Sequence, residues 1–313
     1  MRFRSMGVRG WATMALAALV AAPAAAADGG RAEPVPFRVG FSRALFADLN
    51  PNDAQAAMKV WGQTVAQERR VAISPQPRII DTVETLRREW GAGRLDAVAL
   101  PLDEFGQIGA DGHIAHSFFA SVGGQVSDAY IVVTHREGPR VRLADLAGCE
   151  VNVFRGPRMA LGEPWLELEL VRLGLSPSSR HFGGIQRPTK LSKAVLPVFF
   201  RQAEAAIVDR RGFETMVELN PQLGRQLRVI ASSPPLVSMI LVLRTGFDPT
   251  VAPEVIASLR DFHRTQAGRQ VLTLFQSDQL VDCDPELLRA SIALLAEYRR
   301  LTVRIEAGGG DAP

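Results

Sequence analysis

The feature that most constrains the fold is a repeated alternation of short apolar runs with amphipathic stretches along most of the chain. Runs such as Leu95–Leu100 and Ala203–Val208 have the length of buried strands, and apolar residues between such runs recur at helical spacing. Alternating strands and helices are typical of parallel sheets that helices cover on both faces. The sequence therefore predicts an α/β protein.

The individual elements follow from the same patterns. The predicted strands or extended segments are 37–41, 71–77, 95–100, 115–122, 129–134, 150–154, 180–182, 203–208, 227–231 and 237–243. The predicted helices are 52–70, 81–90, 159–173, 191–200, 212–219, 253–266, 268–275 and 285–303. Asn52 or Asp53 is the predicted N-cap of the first helix.

The elements form two blocks, followed by a portion too small for a third core. We expect that portion to return to the first block, so that the chain crosses twice between two lobes. The predicted lobes are 37–133 plus 233–304, and 134–232, with a flexible leader at 28–36 and a disordered tail at 305–313. Two crossing segments make a hinge, and the cleft between the lobes is the natural ligand site.

The N-terminus has the three parts of a secretory signal. Arg2, Arg4 and Arg9 precede an apolar run at 11–20, and alanine-rich residues follow it. The apolar run is too short to span about 30 Å of hydrocarbon. We predict a signal peptide over residues 1–27, cleavage near Ala27, and a periplasmic protein.

Charge argues against nucleic acid as a partner. The chain has 36 Lys and Arg against 33 Asp and Glu, with a pI near 9.2. Three of the arginines lie in the predicted signal peptide, so the mature chain has no formal net charge. Nucleic-acid binding needs a basic field over the surface, which this balance does not supply.

The cysteine and histidine content predicts neither a metal site nor a cofactor. The five histidines are scattered, and no Cys/His cluster has metal-ligand spacing. Cys149 and Cys283 could pair in an oxidising compartment. They fall in different predicted lobes, where a covalent bond would oppose hinge motion.

Three segments resemble a known family. The most specific is residues 190–220, where Ala194-Val195 in a helix leads to a strand that reads A-E-A-A-I-V-D. The segments 143–154 and 93–98 resemble the same family's entry into lobe two and a strand of lobe one. The family is that of the phosphate/phosphite/phosphonate-type (PhnD-like) substrate-binding proteins of ABC transporters. The resemblance implies a type 2 periplasmic-binding-protein fold, with two lobes of mixed sheets flanked by helices and a two-strand hinge.

Two departures from the family pattern leave the ligand open. Residues 155–159 read R-G-P-R-M where the family usually has a Ser/Thr-rich turn, and Pro188-Thr189-Lys190 replaces the family's S-H. Phosphonate, phosphate, sulfonate, carboxylate, or an organic cation balanced by Asp209 all remain possible ligands.

Several polar and charged residues follow predicted strands and are candidate ligand-binding residues. Open α/β sheets bind ligands at the carboxyl ends of their strands, and a strand-to-helix turn offers free amides to an anion. The candidates at such positions are Ser42, Arg43, Asp103, Arg155, Arg158, Asp209 and Arg211. Lys190 joins them because the chain has only three lysines and this one begins a helix. Tyr130, on the strand beside the hinge, could direct its hydroxyl towards ligand or simply pack.

Solute capture is the function that these features favour. We expect a monomer that closes on a small molecule, without catalytic residues, and is recognised by a membrane permease, or by a receptor if the role is sensing. An enzyme on the same scaffold would need a nucleophile with a base, or a metal cluster; neither G-x-S-x-G nor H-E-x-x-H occurs. An interaction protein with a degenerate cleft is the third alternative.

Overall fold

The computed structural model describes residues 33–46, 49–109 and 112–308, with side chains up to 303. The predicted signal peptide, the leader up to residue 32 and the tail from residue 309 lie outside the described residues. No helix among the described residues is long and apolar enough to cross a membrane.

Eleven strands and eleven helices are present in the described residues. The strands are β1 Val35–Ser42, β2 Ile73–Ile80, β3 Ala97–Pro101, β4 Ile114–Ser121, β5 Tyr130–His135, β6 Glu150–Val153, β7 Gly184–Gln186, β8 Ala205–Asp209, β9 Leu227–Ser232, β10 Met239–Arg244 and β11 Gln279–Asp282. The helices are α1 Pro51–Glu68, α2 Val83–Gly91, α3 Leu102–Phe105, α4 Gly162–Arg172, α5 Ser178–His181, α6 Leu191–Phe199, α7 Arg210–Leu219, α8 Pro221–Gln226, α9 Ala252–Arg260, α10 Gln266–Leu274 and α11 Pro285–Gly308.

The strands form two mixed sheets. The first has the order β11-β4-β10-β3-β1-β2, and the second has the order β7-β6-β8-β5-β9. In the first sheet, β1 lies parallel to β2 and β3, whereas β10 is antiparallel to β3 and β4. In the second, β6 is parallel to β7 and β8, and β5 is antiparallel to β8 and β9. The predicted fold class, mixed sheets flanked by helices, is confirmed.

The chain passes between the two sheets twice, and the two crossings touch. It leaves the first sheet after Ser121 and returns to it at Met239. Between these points Asp128 and Leu236 form an antiparallel bridge, with N–H···O distances of 3.0 and 2.7 Å. The crossing segments therefore run side by side, as a two-strand hinge requires.

Helices cover both faces of the first sheet. Apolar residues of α1, α9 and α10 pack on one face, and those of α2 and α11 pack on the other. Helix α11 also packs against α4, beside the second sheet. For that reason the buried residues of the second sheet and of the α11 face of the first sheet form one contiguous apolar cluster.

Two local predictions are wrong. The N-cap of α1 is Asn50, whose Oδ1 accepts from the backbone N–H of Asn52 at 2.9 Å; Pro51 follows it at the first helical position, which needs no N–H donor. The strand predicted at 180–182 is replaced by a helical turn at 178–181, because the backbone N–H groups of Arg180 and His181 both donate to the carbonyl oxygen of Pro177, at 2.8 and 2.9 Å. The strand follows at β7.

Candidate functional site

Arg158 is a buried cation at the junction of the two sheets. Its turn leads into α4 of the second sheet, yet its guanidinium reaches the first sheet's elements. Nη1 donates to the carbonyl oxygen of Gln276 at 3.3 Å, and Nη2 donates to that of Ala120 at 3.5 Å. Only 6% of the residue is exposed. These are long contacts for a buried charge, since good N–H···O bonds are 2.7–3.2 Å long, as a rule of thumb about 2.9 Å.

The charge of Arg158 is incompletely compensated. Within the part of the chain that the structure describes, no carboxylate lies within the 4.0 Å ion-pair distance of its guanidinium, and Nε has no hydrogen-bond partner. Burial lowers the pKa of Arg158, and the nearby positive charge of Arg211 lowers it further, while the negative charges of Asp128 and Asp209 oppose the shift. A buried charge is costly unless it is paired and hydrogen-bonded. A guanidinium left in this state is a ready partner for an anion.

Tyr130 holds the turn that carries Arg158. Its phenol donates to the carbonyl oxygen of Arg158 at 2.9 Å, and its ring stacks on Trp165 of α4. Tyr130 is 1% exposed, and burial raises the pKa of its phenol, so the hydroxyl is a donor at neutral pH. The hydroxyl of Tyr130 therefore bonds to the backbone of the turn, and the side chain packs beneath it.

Asp209 and Arg211 come together with Arg158 at the same junction. Asp209 ends β8 and caps α7, accepting from the backbone N–H of Gly212 at 2.6 Å. Burial raises the pKa of its carboxyl, the negative charge of Asp128 raises it further, and Arg158 opposes the shift. Arg211 donates to the carbonyl oxygens of Val122 and Ser127 in the first crossing segment.

Asp128 completes this cluster and was missed in the sequence. It lies in the first crossing segment, with its side chain 12% exposed and Oδ2 at 3.8 Å from Nε of Arg211. Its Oδ1 accepts from the N–H of Ala129 at 2.8 Å. The sequence around Asp128 contains no motif that marks it as a functional residue. Only its position between the two predicted lobes could have suggested a role. We call Asp128, Tyr130, Arg158, Asp209 and Arg211 the junction cluster.

The predicted residues of the first sheet lie in a second group. Ser42 is 3% exposed at the end of β1, and its hydroxyl accepts from the N–H of Ala44 at 3.1 Å. Burial raises the pKa of the Asp103 carboxyl and that of its neighbour Glu104, while a hydrogen bond from Ser42 opposes the shift at Glu104. Arg43 donates to the carbonyl oxygen of Phe46 at 2.9 Å and so closes its own turn.

Arg155 and Lys190 lie at the surface. The Arg155 side chain is 63% exposed, and its Nε is 3.9 Å from Oε1 of Glu163, which Arg187 contacts more closely at 3.0 Å. Lys190 is the exposed N-cap residue of α6. Neither side chain reaches the junction cluster through a hydrogen bond or ion pair that the described residues make.

The described residues contain no group of three or more His, Cys, Asp or Glu side chains that could hold a metal ion. Cys149 is buried and Cys283 is half-buried, and both are free thiols.

Comparison with known proteins identifies relatives of the whole fold. The sequence profile of the family described as "ABC transporter, phosphonate, periplasmic substrate-binding protein" matches residues 44–288. No curated protein sequence matches the chain.

Solved structures with a similar fold cover nearly all of the described chain. XAC2383 from Xanthomonas citri, bound to chloride ion, superposes with a TM-score of 0.63 at 17% identity, covering 86% of this chain and 99% of that one. PhnD1 from Prochlorococcus marinus, in complex with methylphosphonate, has a TM-score of 0.59 at 12% identity, covering 85% and 99%. The phosphonate-transporter binding component PA3383 from Pseudomonas aeruginosa has a TM-score of 0.58 at 13% identity, covering 87% and 89%.

Proposed function

Because the chain belongs to the family of phosphonate-type periplasmic substrate-binding proteins of ABC transporters, which confirms the resemblance found in the sequence, we propose that it captures a small oxyanion on Arg158. The family is one of transport proteins and not of enzymes. The observation that carries the proposal is the buried guanidinium of Arg158, which has two long contacts to carbonyl oxygens and no carboxylate partner among the described residues.

The electrostatics of the junction cluster favour an anion over a cation. Two arginines and two aspartates meet there, and burial raises the pKa of the Asp209 carboxyl, which makes its charged form less favourable. Asp128 has Arg211 as its nearest cation, at 3.8 Å. Arg158 has no carboxylate within ion-pair distance among the described residues, although Asp128 and Asp209 stabilise its charge from farther away and Oδ2 of Asp128 also lacks a hydrogen-bond partner there. An oxyanion can accept two parallel hydrogen bonds from a guanidinium, which supplies orientation as well as energy.

Closure follows from where the ligand would bind. The turn of Arg158 belongs to the second sheet, and its present acceptors, Ala120 and Gln276, belong to the first. An anion on the guanidinium would contact both sides of the junction, and a ligand that bridges two lobes favours their closed arrangement. We propose two lobes near the predicted bounds, 37–133 plus 233–304 and 134–232, with β5 as a whole in the second lobe because it pairs with β8 and β9, and with the Asp128–Leu236 bridge at their hinge.

The remaining predictions fit around this centre. We propose that the rim of the site includes the exposed Arg155 and Lys190, and that Ser42, Arg43 and Asp103 line the first lobe's side. The protein releases the ligand without chemical change, and a membrane permease recognises the closed, ligand-bound protein. Export uses the signal peptide with cleavage near Ala27, and the mature protein is a monomer.

A thermal-shift panel on the purified mature protein tests the ligand class. The panel contains phosphate, methylphosphonate, sulfate, methanesulfonate and acetate, with glucose and choline as neutral and cationic comparisons. At about 100 times Kd, a ligand adds about 2.7 kcal/mol to the free energy of unfolding, which a melting curve detects. We expect at least one oxyanion to raise the melting temperature. The proposal would be contradicted if only choline or glucose raised the melting temperature, if no compound raised it, or if the protein converted the bound anion into a product.

A further inference from the structure

An apolar cavity of about 150 Å³ lies in the first lobe, on the other side of the segments whose carbonyl oxygens contact Arg158. It lies between the first sheet and the helices α1, α9 and α10 and is partly open to the surface. Its walls carry apolar side chains from β1, β2, β3, β4, β10 and β11 and from these helices. Among the described residues that line it, Ser258 and Ser277 alone have polar side chains.

Small residues on both sides explain why the cavity exists. The floor includes Ala97 and Ala99 on β3 and Ala120 on β4, at positions where sheets usually place branched residues. The roof includes Gly62 and Ala66 on α1. The floor positions alternate along their strands, so they point to one face of the sheet. Side-chain volume is therefore missing from the sheet at these alanines and from α1 at Ala66, whereas at Gly62 the helix touches the sheet, since an added Cβ would lie 3.3 Å from Cβ of Pro75.

Side chains in the middle of the first sheet remain partly exposed, which indicates that the helices do not pack fully against the sheet there. Phe41, Ala99 and Leu241 are paired neighbours across β1, β3 and β10. All three are only half-buried, although their strands are interior and helices lie over this face. The buried apolar residues on this face also separate into two clusters, one around Val39 and one around Met58. Native interiors rarely contain voids larger than a water molecule, so this gap is unusual.

The lining determines what could occupy the cavity. A buried water needs two to four polar partners, which these walls do not offer, and a charged group would be buried without a counter-ion. Phe37, Phe41, Phe262 and Phe275 present aromatic surface. Met58 and Met239 supply flexible thioether side chains that adapt to irregular shapes. Engineered apolar cavities of about 150 Å³ stay dry and bind benzene or xenon.

We propose that this cavity is a second ligand site, which binds a small uncharged apolar molecule such as a single aromatic ring or a short alkyl chain. The site differs in chemistry from the oxyanion site at Arg158, although the two are neighbours: Ala120 lines the cavity with its side chain and accepts from Arg158 through its carbonyl oxygen. The first lobe would then bind this molecule without contacts from the second lobe.

Toluene and xenon are the probes, with benzoate as the charged counterpart of toluene. Toluene binding to the purified protein is followed by NMR titration, and xenon by the same spectra under gas pressure. We expect saturable binding of both probes, with shifts confined to residues of the first lobe that line the cavity. Benzoate should produce no shifts there.

Filling variants identify the site. Ala99→Leu places a larger side chain in the floor, and Ser258→Leu does so from α9. Each substitution should weaken toluene binding at least tenfold. If Ala99→Leu does not fold, Ser258→Leu provides the test. The matched control is Ala56→Leu on the exposed side of α1, which should bind toluene like the parent protein. The proposal is overturned if neither probe binds the parent protein saturably, or if a folded filling variant retains the parent affinity.

Discussion

The phenol of Tyr130 donates a hydrogen bond to the carbonyl oxygen of Arg158, 2.9 Å away, and so ties a strand beside the hinge to the turn that carries the buried guanidinium. Tyr130 itself is anchored to the second crossing segment, where its backbone N–H donates to Oγ of Ser233 at 2.8 Å. The position of Arg158 therefore depends on β5, the strand of the second sheet that directly follows the first crossing segment.

Tyr130→Phe removes this hydrogen bond and preserves the ring. We expect the free energy of unfolding to fall by about 1 kcal/mol, the usual net contribution of such a bond, since the carbonyl oxygen of Arg158 loses its partner. The oxyanion affinity should fall several-fold because the turn is less well held. Urea denaturation and calorimetric titration measure the two effects. Tyr298→Phe, on α11, is the control and should leave the anion affinity unchanged; an unchanged affinity in Tyr130→Phe would refute the positioning role.

Asp209→Asn tests the buried carboxyl. An amide oxygen can still accept from the N–H of Gly212, so the helix cap survives while the charge disappears. The folded-state pKa is raised by burial, and each unit of that shift costs about 1.4 kcal/mol of stability above the folded-state pKa. Below the ordinary value of 3.8 the carboxyl is neutral in both states and the cost vanishes.

The variant should therefore be more stable than the parent protein at pH 7 to 8, and the advantage should shrink as the pH falls towards 4. Denaturant unfolding at a series of pH values measures this difference. A variant that is less stable at pH 8, or a difference that does not depend on pH, contradicts the assignment of Asp209 as a carboxyl with a raised pKa.

Glu89→Gln should show the opposite pH dependence. Two arginines donate to the Glu89 carboxylate: Arg94 through Nε and Nη2 at 3.1 and 2.7 Å, and Arg78 through Nη1 at 3.3 Å. These contacts, chiefly the hydrogen bond from Arg94, lower the pKa of Glu89 from 4.5 to about 2. A lowered pKa stabilises the folded state above 4.5, and this contribution is lost as the pH falls towards 2.

The parent protein should be more stable than Glu89→Gln at pH 7, and the two should converge between pH 4.5 and 2. Unfolding midpoints at pH 7, 4 and 3 measure the convergence. Glu84→Gln, at an exposed position on the same helix, is the control. Equal stability of Glu89→Gln and the parent at pH 7 would show that the two arginines do not stabilise the fold through this carboxylate.

The sequence predicted the regular part of the fold because the buried strands are continuous apolar runs with clear ends. The run Ala203–Val208 corresponds to β8, and the run at 237–243 corresponds to β10. It did not predict β11 or α8, whose residues lack a distinct apolar period. Strand β11 is half-buried at the sheet edge, and its place is fixed by pairing with β4, a contact distant in sequence.

The site could be located only in part. Strand ends and the turn after β6 were visible in the sequence, and they led to Arg158, Asp209 and Arg211. The sequence could not separate Arg158 from Arg155, which lies three residues away in the same turn. The difference arises from tertiary contacts: Arg158 reaches the carbonyl oxygens of Ala120 and Gln276, whereas Arg155 faces solvent. Gln276 has a φ of 49°, which no local sequence signal announced.

This pair of arginines also supplies the most direct test of the account. Calorimetric titration with the oxyanion that gives the largest thermal shift is carried out on the parent protein, Arg158→Met and Arg155→Met. The account predicts that Arg158→Met loses at least a hundredfold in affinity, since a buried charged hydrogen bond to the ligand disappears, while Arg155→Met stays within about threefold of the parent. Parent-like affinity in a folded Arg158→Met variant would contradict it.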